Sequence, residues 1–347
     1  MLIDLCLDRC DPATLPDAEV GALGELAARL NVESCVLGRL GPHQRNLGAG
    51  AARWLDGLRR RVMEVAVNNL RRDGELAEAL ARLAEGGVDL LFLKGSALRA
   101  GRQGLAGRFQ CDVDVLLRRA DLEQAEALLL GLGFRLDESF QCREDLLRNH
   151  FHFGYERRGA VIELHWDVDP NSPAGFVDRL WNHSRQVETG EGEVRVPSPE
   201  HQLLFDCLHL SRHAFVAGLR WLADLNAQLP LSPDLAARFE EEARAWPRRA
   251  VYAPLWLLDV YGVPGLEPMA ERLGATSLEE TLLRSVVECL VVDEPWHGLP
   301  AWRAAKALEA WMGSDRAFPA LLGEVSTRGV FRKLHAWAGN RAPEGAF

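Results

Sequence analysis

Two neighbouring stretches decide the fold: Val88-Asp-Leu-Leu-Phe-Leu-Lys-Gly-Ser96, and then Cys111-Asp-Val-Asp-Val-Leu-Leu117. The first is a short apolar run of strand length that ends directly at Lys94-Gly95-Ser96. The second alternates with period two, which is typical of a strand with one buried face. Side chains two residues apart share a face of a strand, so Asp112 and Asp114 are predicted to project to the same side.

A second acidic strand follows in a predicted hairpin. His150 to Arg157 and Ala160 to Trp166 are separated by Arg158-Gly159, a turn sequence that indicates two paired strands. Glu163 and His165 share one face of the second strand. If that strand lies beside the Asp112–Asp114 strand, three carboxylates converge. Asp167 has the same strand parity and is the alternative third acid.

Three carboxylates in one place indicate that a cation binds there. Neighbouring carboxylates repel each other, and the charged forms are stable together mainly when positive charge lies between them. Oxygen ligands of this kind suit Mg²⁺, and a cluster of three can clamp two ions around a phosphoryl centre. Gly95 and Ser96 follow a strand and open a helix, where backbone N–H groups bind phosphate. Lys94 and Arg108 are candidates to neutralise phosphate charge.

The rest of the chain is helical on both sides of this mixed section. Residues 1–87 form a predicted N-terminal helical segment, 88–197 an α/β core and 198–347 a C-terminal helical domain. Asp73-Gly74 predicts an interruption, and Val194 to Glu200 a polar linker. The helices expected from the periodicity of apolar residues cover 16–30, 54–83, 97–103, 121–130, 201–228, 232–245, 250–261, 278–291 and 301–313.

The motifs taken together resemble a known family. They are Leu93-Lys-Gly-Ser, the spacing Arg108-x-x-x-Asp112-x-Asp114, Gly131-Leu-Gly133-Phe, Glu163-Leu-His-Trp166 and Leu219-Arg-Trp-Leu-Ala-Asp224-Leu. The chain resembles the bacterial "uncharacterised nucleotidyltransferase" family of the DNA polymerase β-like superfamily. The resemblance implies an α/β (α+β) fold: a polymerase-β-like core with a mixed sheet, flanked by helical segments.

The resemblance also implies an activity. It is the Mg²⁺-dependent transfer of an NMP, by default AMP, from an NTP to a hydroxyl or similar group on a small-molecule or peptide acceptor, with release of pyrophosphate. Gly95 and Ser96 would hold the β- and γ-phosphates. Asp112 and Asp114 would bind the metals, two ions being expected, and Glu163 would complete the set and help activate the acceptor. The side chains expected to pack behind them are His165, His209, Arg220 and Asp224.

Composition excludes several other classes of function. The formal net charge is −10, which argues against binding of duplex nucleic acid, because phosphate backbones attract clustered cations. No apolar run approaches the roughly 18–20 residues of a membrane span, and the N-terminus is acidic where a signal peptide is basic, so a cytoplasmic protein is expected. Two alternatives remain: a non-catalytic nucleotide-binding or regulatory (antitoxin-like) module on the same fold, and a phosphohydrolase that uses the same metals.

Overall fold

The computed structural model describes the greater part of the chain. The described residues are 32–46, 49–101, 112–137, 143–189, 192–213 and 218–277, together with 6, 23, 26–28, 279–281, 283–284 and 311–313. Arg108 lies outside them, as does most of the helices predicted over 16–30, 278–291 and 301–313.

The described elements alternate between helix and strand in the middle of the chain. The helices are α1 (Glu33–Leu40), α2 (Ala49–Glu85), α3 (Lys94–Gly101), α4 (Leu122–Gly131), α5 (Arg143–Asn149), α6 (Phe176–Asn182), α7 (Pro199–Arg212), α8 (Gly218–Asn226), α9 (Pro233–Ala243), α10 (Arg248–Val260) and α11 (Glu267–Glu271). The strands are β1 (Leu91–Phe92), β2 (Asp112–Leu116), β3 (Arg135–Leu136), β4 (His152–Arg157), β5 (Ala160–His165), β6 (Arg185–Thr189) and β7 (Gly192–Val196).

A five-stranded mixed sheet forms the centre, in the order β1-β2-β5-β4-β3. β2 and β5 pair in parallel, and the other neighbours in this sheet are antiparallel. The predicted hairpin of β4 and β5 is therefore present, and β5 lies beside β2. The register places Asp114 directly opposite Glu163. The expected mixed α/β fold is confirmed.

One face of this sheet is a dry core. Val113, Val115, Ile162 and Leu164 point away from the acidic residues and are almost fully buried. They pack against the C-terminal half of α2 and against α4 through Leu76, Ala79, Leu83, Leu122, Ala125 and Leu129. Each such buried side chain stabilises the fold by about 1.5–3 kcal/mol. Because side chains alternate along a strand, this packing fixes the acidic residues on the opposite face.

The predicted interruption at Asp73-Gly74 is wrong, since α2 continues through both residues. A helical glycine costs only about 1 kcal/mol relative to alanine. The apolar contacts of the following turns with the sheet outweigh this cost, and Asp73 forms a bidentate ion pair with Arg99 of α3. Packing therefore overrides the local signal.

Two other boundaries differ from the prediction. The segment from Val194 to Glu200 is the end of β7 and the start of α7, and β7 belongs to a hairpin with β6 that the sequence analysis missed. Both strands of that hairpin are largely exposed or half-buried, so their apolar alternation is weak. The single helix predicted over 201–228 is two helices, α7 and α8.

Arg157 ties the β4–β5 turn to the long helix. Its guanidinium donates to the carbonyl oxygen of Leu132 at 2.8 Å and contacts the carboxylates of Glu75 at 2.7 Å and Glu78 at 2.5 Å. It also lies over the ring of Phe134, 4.7 Å from the centroid. The side chain is 12% exposed, so these contacts are poorly screened by water.

We expect Arg157→Met to lower the free energy of unfolding by about 2 kcal/mol, because it leaves a carbonyl and a carboxylate without their donor. Arg158→Met is the matched control. Arg158 contacts the same Glu75 at 3.1 Å but is 79% exposed, so the expected loss is below about 0.5 kcal/mol. Urea denaturation of both variants measures the difference, and equal losses would contradict this account.

No helix in the described part of the chain is both long enough and apolar enough to cross a bilayer.

Candidate active site

Three carboxylates meet on the face of the sheet opposite the dry core. Asp112 and Asp114 come from β2, and Glu163 comes from the adjacent strand β5. One oxygen atom of each lies within 4.8 Å of the others, a spacing at which a metal ion could be held. We call these three residues the acidic triad. Their convergence follows from strand parity and from the parallel pairing of β2 with β5.

Lys94 reaches into the acidic triad from the first turn of α3. Its Nζ lies 2.5 Å from Oδ1 of Asp114 and 3.3 Å from Oε2 of Glu163. The residue has φ = +48°, a left-handed conformation that is uncommon for a non-glycine residue. Such conformations persist where the surrounding structure enforces them, and they concentrate at functional sites.

His165 contacts two residues of the acidic triad. Its side chain is fully buried, and its Nε2 lies 3.0 Å from Oδ1 of Asp114 and 3.2 Å from Oε2 of Glu163. An ionised carboxylate only accepts hydrogen bonds, so Nε2 carries the proton and donates it. His165 thus contacts two carboxylates at once, and its functional role stays a prediction.

A second possible metal group comprises His152, Glu163 and His165. The two imidazole rings are stacked, with centroids 4.8 Å apart and planes at 26°. The ring lone pairs lie in the ring planes, so in stacked rings they run side by side and do not converge on one ion. Nε2 of His165 is also a donor to the carboxylates. The geometry therefore favours the acidic triad as the metal site.

The charged residues of the site shift one another's pKa values. Burial raises the pKa of Asp112 to about 6, and the charges of Asp114 and Glu163 add to this effect. Burial would raise the pKa of Glu163 as well, but Lys94 and the hydrogen bond from His165 hold it well below its ordinary value.

The two basic groups show the reciprocal behaviour. Burial alone would lower the pKa of Lys94, yet the carboxylates around it raise this pKa above its ordinary value. The pKa of His165 is also raised, because its hydrogen bonds to Asp114 and Glu163 overcome the effect of burial. The acidic residues thus favour the charged forms of Lys94 and His165.

Ser96 connects the start of α3 to β2. Its Oγ accepts a hydrogen bond from the backbone N–H of Asp114 at 3.3 Å, and the residue is buried. The phosphate-binding role of Gly95 and Ser96 stays a prediction. A small cleft opens on the other side of Asp112, between α2 and α3, and is lined by Asn69, Arg72, Asp73, Leu76, Arg99, Asp112 and Val113.

The C-terminal helices contribute a polar network that the sequence analysis missed. Gln202 of α7 donates to the carbonyl oxygen of Lys94 at 3.4 Å and to Oδ2 of Asp206 at 2.8 Å. Gln228 donates to the same carboxylate oxygen at 2.8 Å. A signal was present in the sequence, because Gln202, Asp206 and His209 recur at helical spacing within an otherwise apolar stretch.

The remaining predicted residues lie on α7 and α8. His209 is half-buried and packs against Trp221, with ring centroids 4.7 Å apart. The loss of solvation, followed by the charge of Lys94, lowers its pKa well below the ordinary value. Burial and the neighbouring carboxylates raise the pKa of Asp112, and the positive charge of Arg220 on α8 offsets a small part of this rise. Asp224 offers its carbonyl oxygen to Gln228. The functional roles of His209, Arg220 and Asp224 stay predictions.

Asp167, the alternative third acid, lies just beyond the end of β5. Its Oδ1 accepts the backbone N–H of Val168 at 2.7 Å. Among the residues that the structure describes, it belongs to neither metal-compatible group. The geometry thus favours Glu163.

A family comparison covers the part of the chain that contains this site. The model of a family described as "Uncharacterised nucleotidyltransferase" matches residues 16–261, a span that includes the acidic triad, Lys94 and helices α7 and α8. The chain belongs to this nucleotidyltransferase family. No curated protein matches the chain significantly.

Proposed function

We propose that the chain transfers an NMP, with AMP as the default, from a nucleoside triphosphate to a hydroxyl or similar group of a small-molecule or peptide acceptor. The observation that carries this proposal is the acidic triad beside Lys94, on a sheet of a nucleotidyltransferase family member. Asp112, Asp114 and Glu163 fit Mg²⁺, because they offer hard oxygen ligands within 4.8 Å of one another. Bound Mg²⁺ would neutralise charge on the triphosphate and on the leaving pyrophosphate.

The bonds exchanged define what the protein residues have to do. The acceptor oxygen forms a bond to the α-phosphorus, the bond from that phosphorus to the bridging oxygen breaks, and the electron pair leaves with pyrophosphate. The proton of the acceptor hydroxyl passes to solvent. Such a reaction needs positioning and charge stabilisation more than covalent help from the protein. Lys94 supplies fixed positive charge, and the N–H groups expected to bind phosphate belong to Gly95 and Ser96, the next residues of α3.

Glu163 serves better as a cation ligand than as a base. The family resemblance implies a part for Glu163 in activating the acceptor. Its pKa lies well below the ordinary value, which makes the carboxylate a weak proton acceptor. We therefore assign Glu163 to holding the cation.

Transfer should be detected as a labelled adduct. The full chain is incubated with each α-³²P-labelled NTP, Mg²⁺ and a metabolite or peptide extract, and products are separated and identified by mass spectrometry. We expect an NMP adduct and pyrophosphate in equal amounts, loss of both with EDTA, and recovery when excess Mg²⁺ is added. Asp114→Asn should be inactive, whereas Asp178→Asn, which changes a 71% exposed carboxylate, should be fully active.

Two results would redirect the assignment. Free NMP or inorganic phosphate without an adduct in any extract would identify a phosphohydrolase. Calorimetric binding of NTP without any product would identify the non-catalytic module. The contact of Lys94 with two carboxylates of the acidic triad is the observation that keeps this second candidate open, since it neutralises charge without a metal.

A further inference from the structure

The ammonium of Lys94 stands where a metal ion between two ligands would stand. Its Nζ contacts Oδ1 of Asp114 and Oε2 of Glu163, and these two residues are directly opposite each other in β2 and β5. The side chain is only 16% exposed, so the contact is sheltered from solvent. Lys94 is the one lysine among the described residues, since Lys306 and Lys333 lie outside them.

The two oxygen atoms of Asp114, and likewise those of Glu163, differ in their contacts with Lys94 and His165. Oδ1 of Asp114 meets both Lys94 and His165, at 2.5 and 3.0 Å, and Oε2 of Glu163 meets the same two groups at 3.3 and 3.2 Å. One oxygen of each carboxylate is thus turned toward protein cations. The other oxygen of Asp114, Oδ2, takes no hydrogen bond from the described residues. The other oxygen of Glu163, Oε1, lies 3.9 Å from Nε2 of His152.

Binding of two divalent ions would also require the oxygens that contact Lys94 and His165, which are Oδ1 of Asp114 and Oε2 of Glu163. An ion between Asp114 and Glu163 would bind oxygens that Lys94 and His165 already contact, and Mg²⁺ requires near-ideal positions about 2.0–2.1 Å from each ligand atom. A second ion would therefore have to displace Lys94. The carbonyl oxygen of Lys94 is held by Gln202, and the residue keeps its left-handed backbone, so its placement is built into the α3 and α7 packing.

We propose that the chain binds one divalent ion per site and that the Lys94 ammonium permanently takes the position of the second. The inference rests on the proposed function and revises the expectation of two ions. The single ion would be held by Asp112, Asp114 and Glu163, which each offer one oxygen within 4.8 Å of the others. Lys94 supplies the other positive charge and keeps Asp114 and Glu163 from repelling each other before the nucleotide arrives.

The number of Mn²⁺ ions bound per chain tests the proposal without any turnover. Equilibrium dialysis of the full chain with Mn²⁺ and saturating α,β-methylene ATP or GTP gives the stoichiometry, and electron paramagnetic resonance reports whether neighbouring ions couple. We expect one ion for the natural chain. Lys94→Met should bind two, with a coupled spectrum, because the position between Asp114 and Glu163 is vacated. Lys94→Arg, which keeps the charge, should bind one.

The outcomes separate this inference from the proposed function. Two ions in the natural chain would overturn the role of Lys94 while leaving nucleotidyl transfer intact. One ion in Lys94→Met, with an unfolding temperature showing that the variant is folded, would also overturn it. No bound Mn²⁺ in the natural chain would also overturn it, and the labelled-adduct assay decides the proposed function separately.

Discussion

Replacing Asp112 by asparagine is expected to lower the rate of nucleotidyl transfer at least about 10³-fold and, in the absence of divalent metal, to stabilise the protein. The loss of rate follows because a metal ligand supplies several kcal/mol of transition-state stabilisation, and about 1.4 kcal/mol corresponds to tenfold in rate. The gain in stability follows because the carboxylate is buried beside two others, which raises its pKa to about 6 from 3.8.

The raised pKa of Asp112 determines how the stability of the natural chain changes with pH. Between about pH 4 and 6 the folded state keeps a proton on Asp112 that the unfolded state has lost, so the contribution of Asp112 to folding becomes less favourable as the pH rises. The variant lacks this contribution. The free energy of unfolding of Asp112→Asn should equal that of the natural chain below about pH 4 and exceed it increasingly between about pH 4 and 6. Above about pH 6 the difference should be on the order of 2 kcal/mol, a figure reduced to allow for the partial solvation of the carboxylate.

Chemical denaturation between pH 4 and 7.5, with and without Mg²⁺, measures this difference. Saturating Mg²⁺ should reverse the order, because an ion that binds only the folded natural chain stabilises it. A variant that is less stable at pH 7.5 without metal would contradict the electrostatic account of Asp112. A variant that retains Mg²⁺-dependent pyrophosphate release would contradict its catalytic role.

Glu163→Gln is expected to lose activity by about 10²–10³-fold, since the amide is a weaker ligand for a hard cation. Its effect on stability should be opposite to that of Asp112→Asn. The natural carboxylate is ionised between Lys94 and His165, and its lowered pKa means that its charge stabilises the fold at neutral pH. That stability is lost as the pH falls through the lowered pKa. The variant should therefore unfold at a lower temperature at pH 7.5.

Asp167→Asn is the matched control for Glu163→Gln. Asp167 was the alternative third acid, and its Oδ1 accepts only a local backbone N–H in the described structure. Asparagine keeps an oxygen that can accept the same bond, so transfer should change by less than about threefold. Steady-state rates with saturating Mg²⁺ compare the two variants. A larger loss in Asp167→Asn than in Glu163→Gln would move the third acid to Asp167.

Strand parity allowed much of the site to be predicted from the sequence. The alternation around Asp112 and Asp114, and that around Glu163, reflects a sheet with one apolar face, and such a pattern is visible in any strand buried on one side. The pairing of β2 with β5 is a long-range contact. The sequence pattern was compatible with this pairing but did not predict it. The family resemblance made that pairing an expectation, and the register in the structure places Asp114 opposite Glu163.

The parts that the sequence did not reveal depend on packing between distant elements. The position of the Lys94 ammonium depends on the backbone at the start of α3 and on Gln202, which is more than a hundred residues further along the chain. The continuity of α2 through Gly74 depends on contacts with the sheet. The β6–β7 hairpin lacks a strong apolar alternation because it is mostly exposed or half-buried.

The two outer strands of the five-stranded sheet have a consequence for how a partner can be recognised. Of the strands that the structure describes in this sheet, β1 and β3 are at the edges, and each pairs over only two residues. An edge this short presents few free amide and carbonyl groups, so another polypeptide gains little by aligning alongside it. At this sheet a peptidic acceptor would therefore have to be distinguished by its side chains and termini, and another copy of the chain would find little backbone there with which to pair.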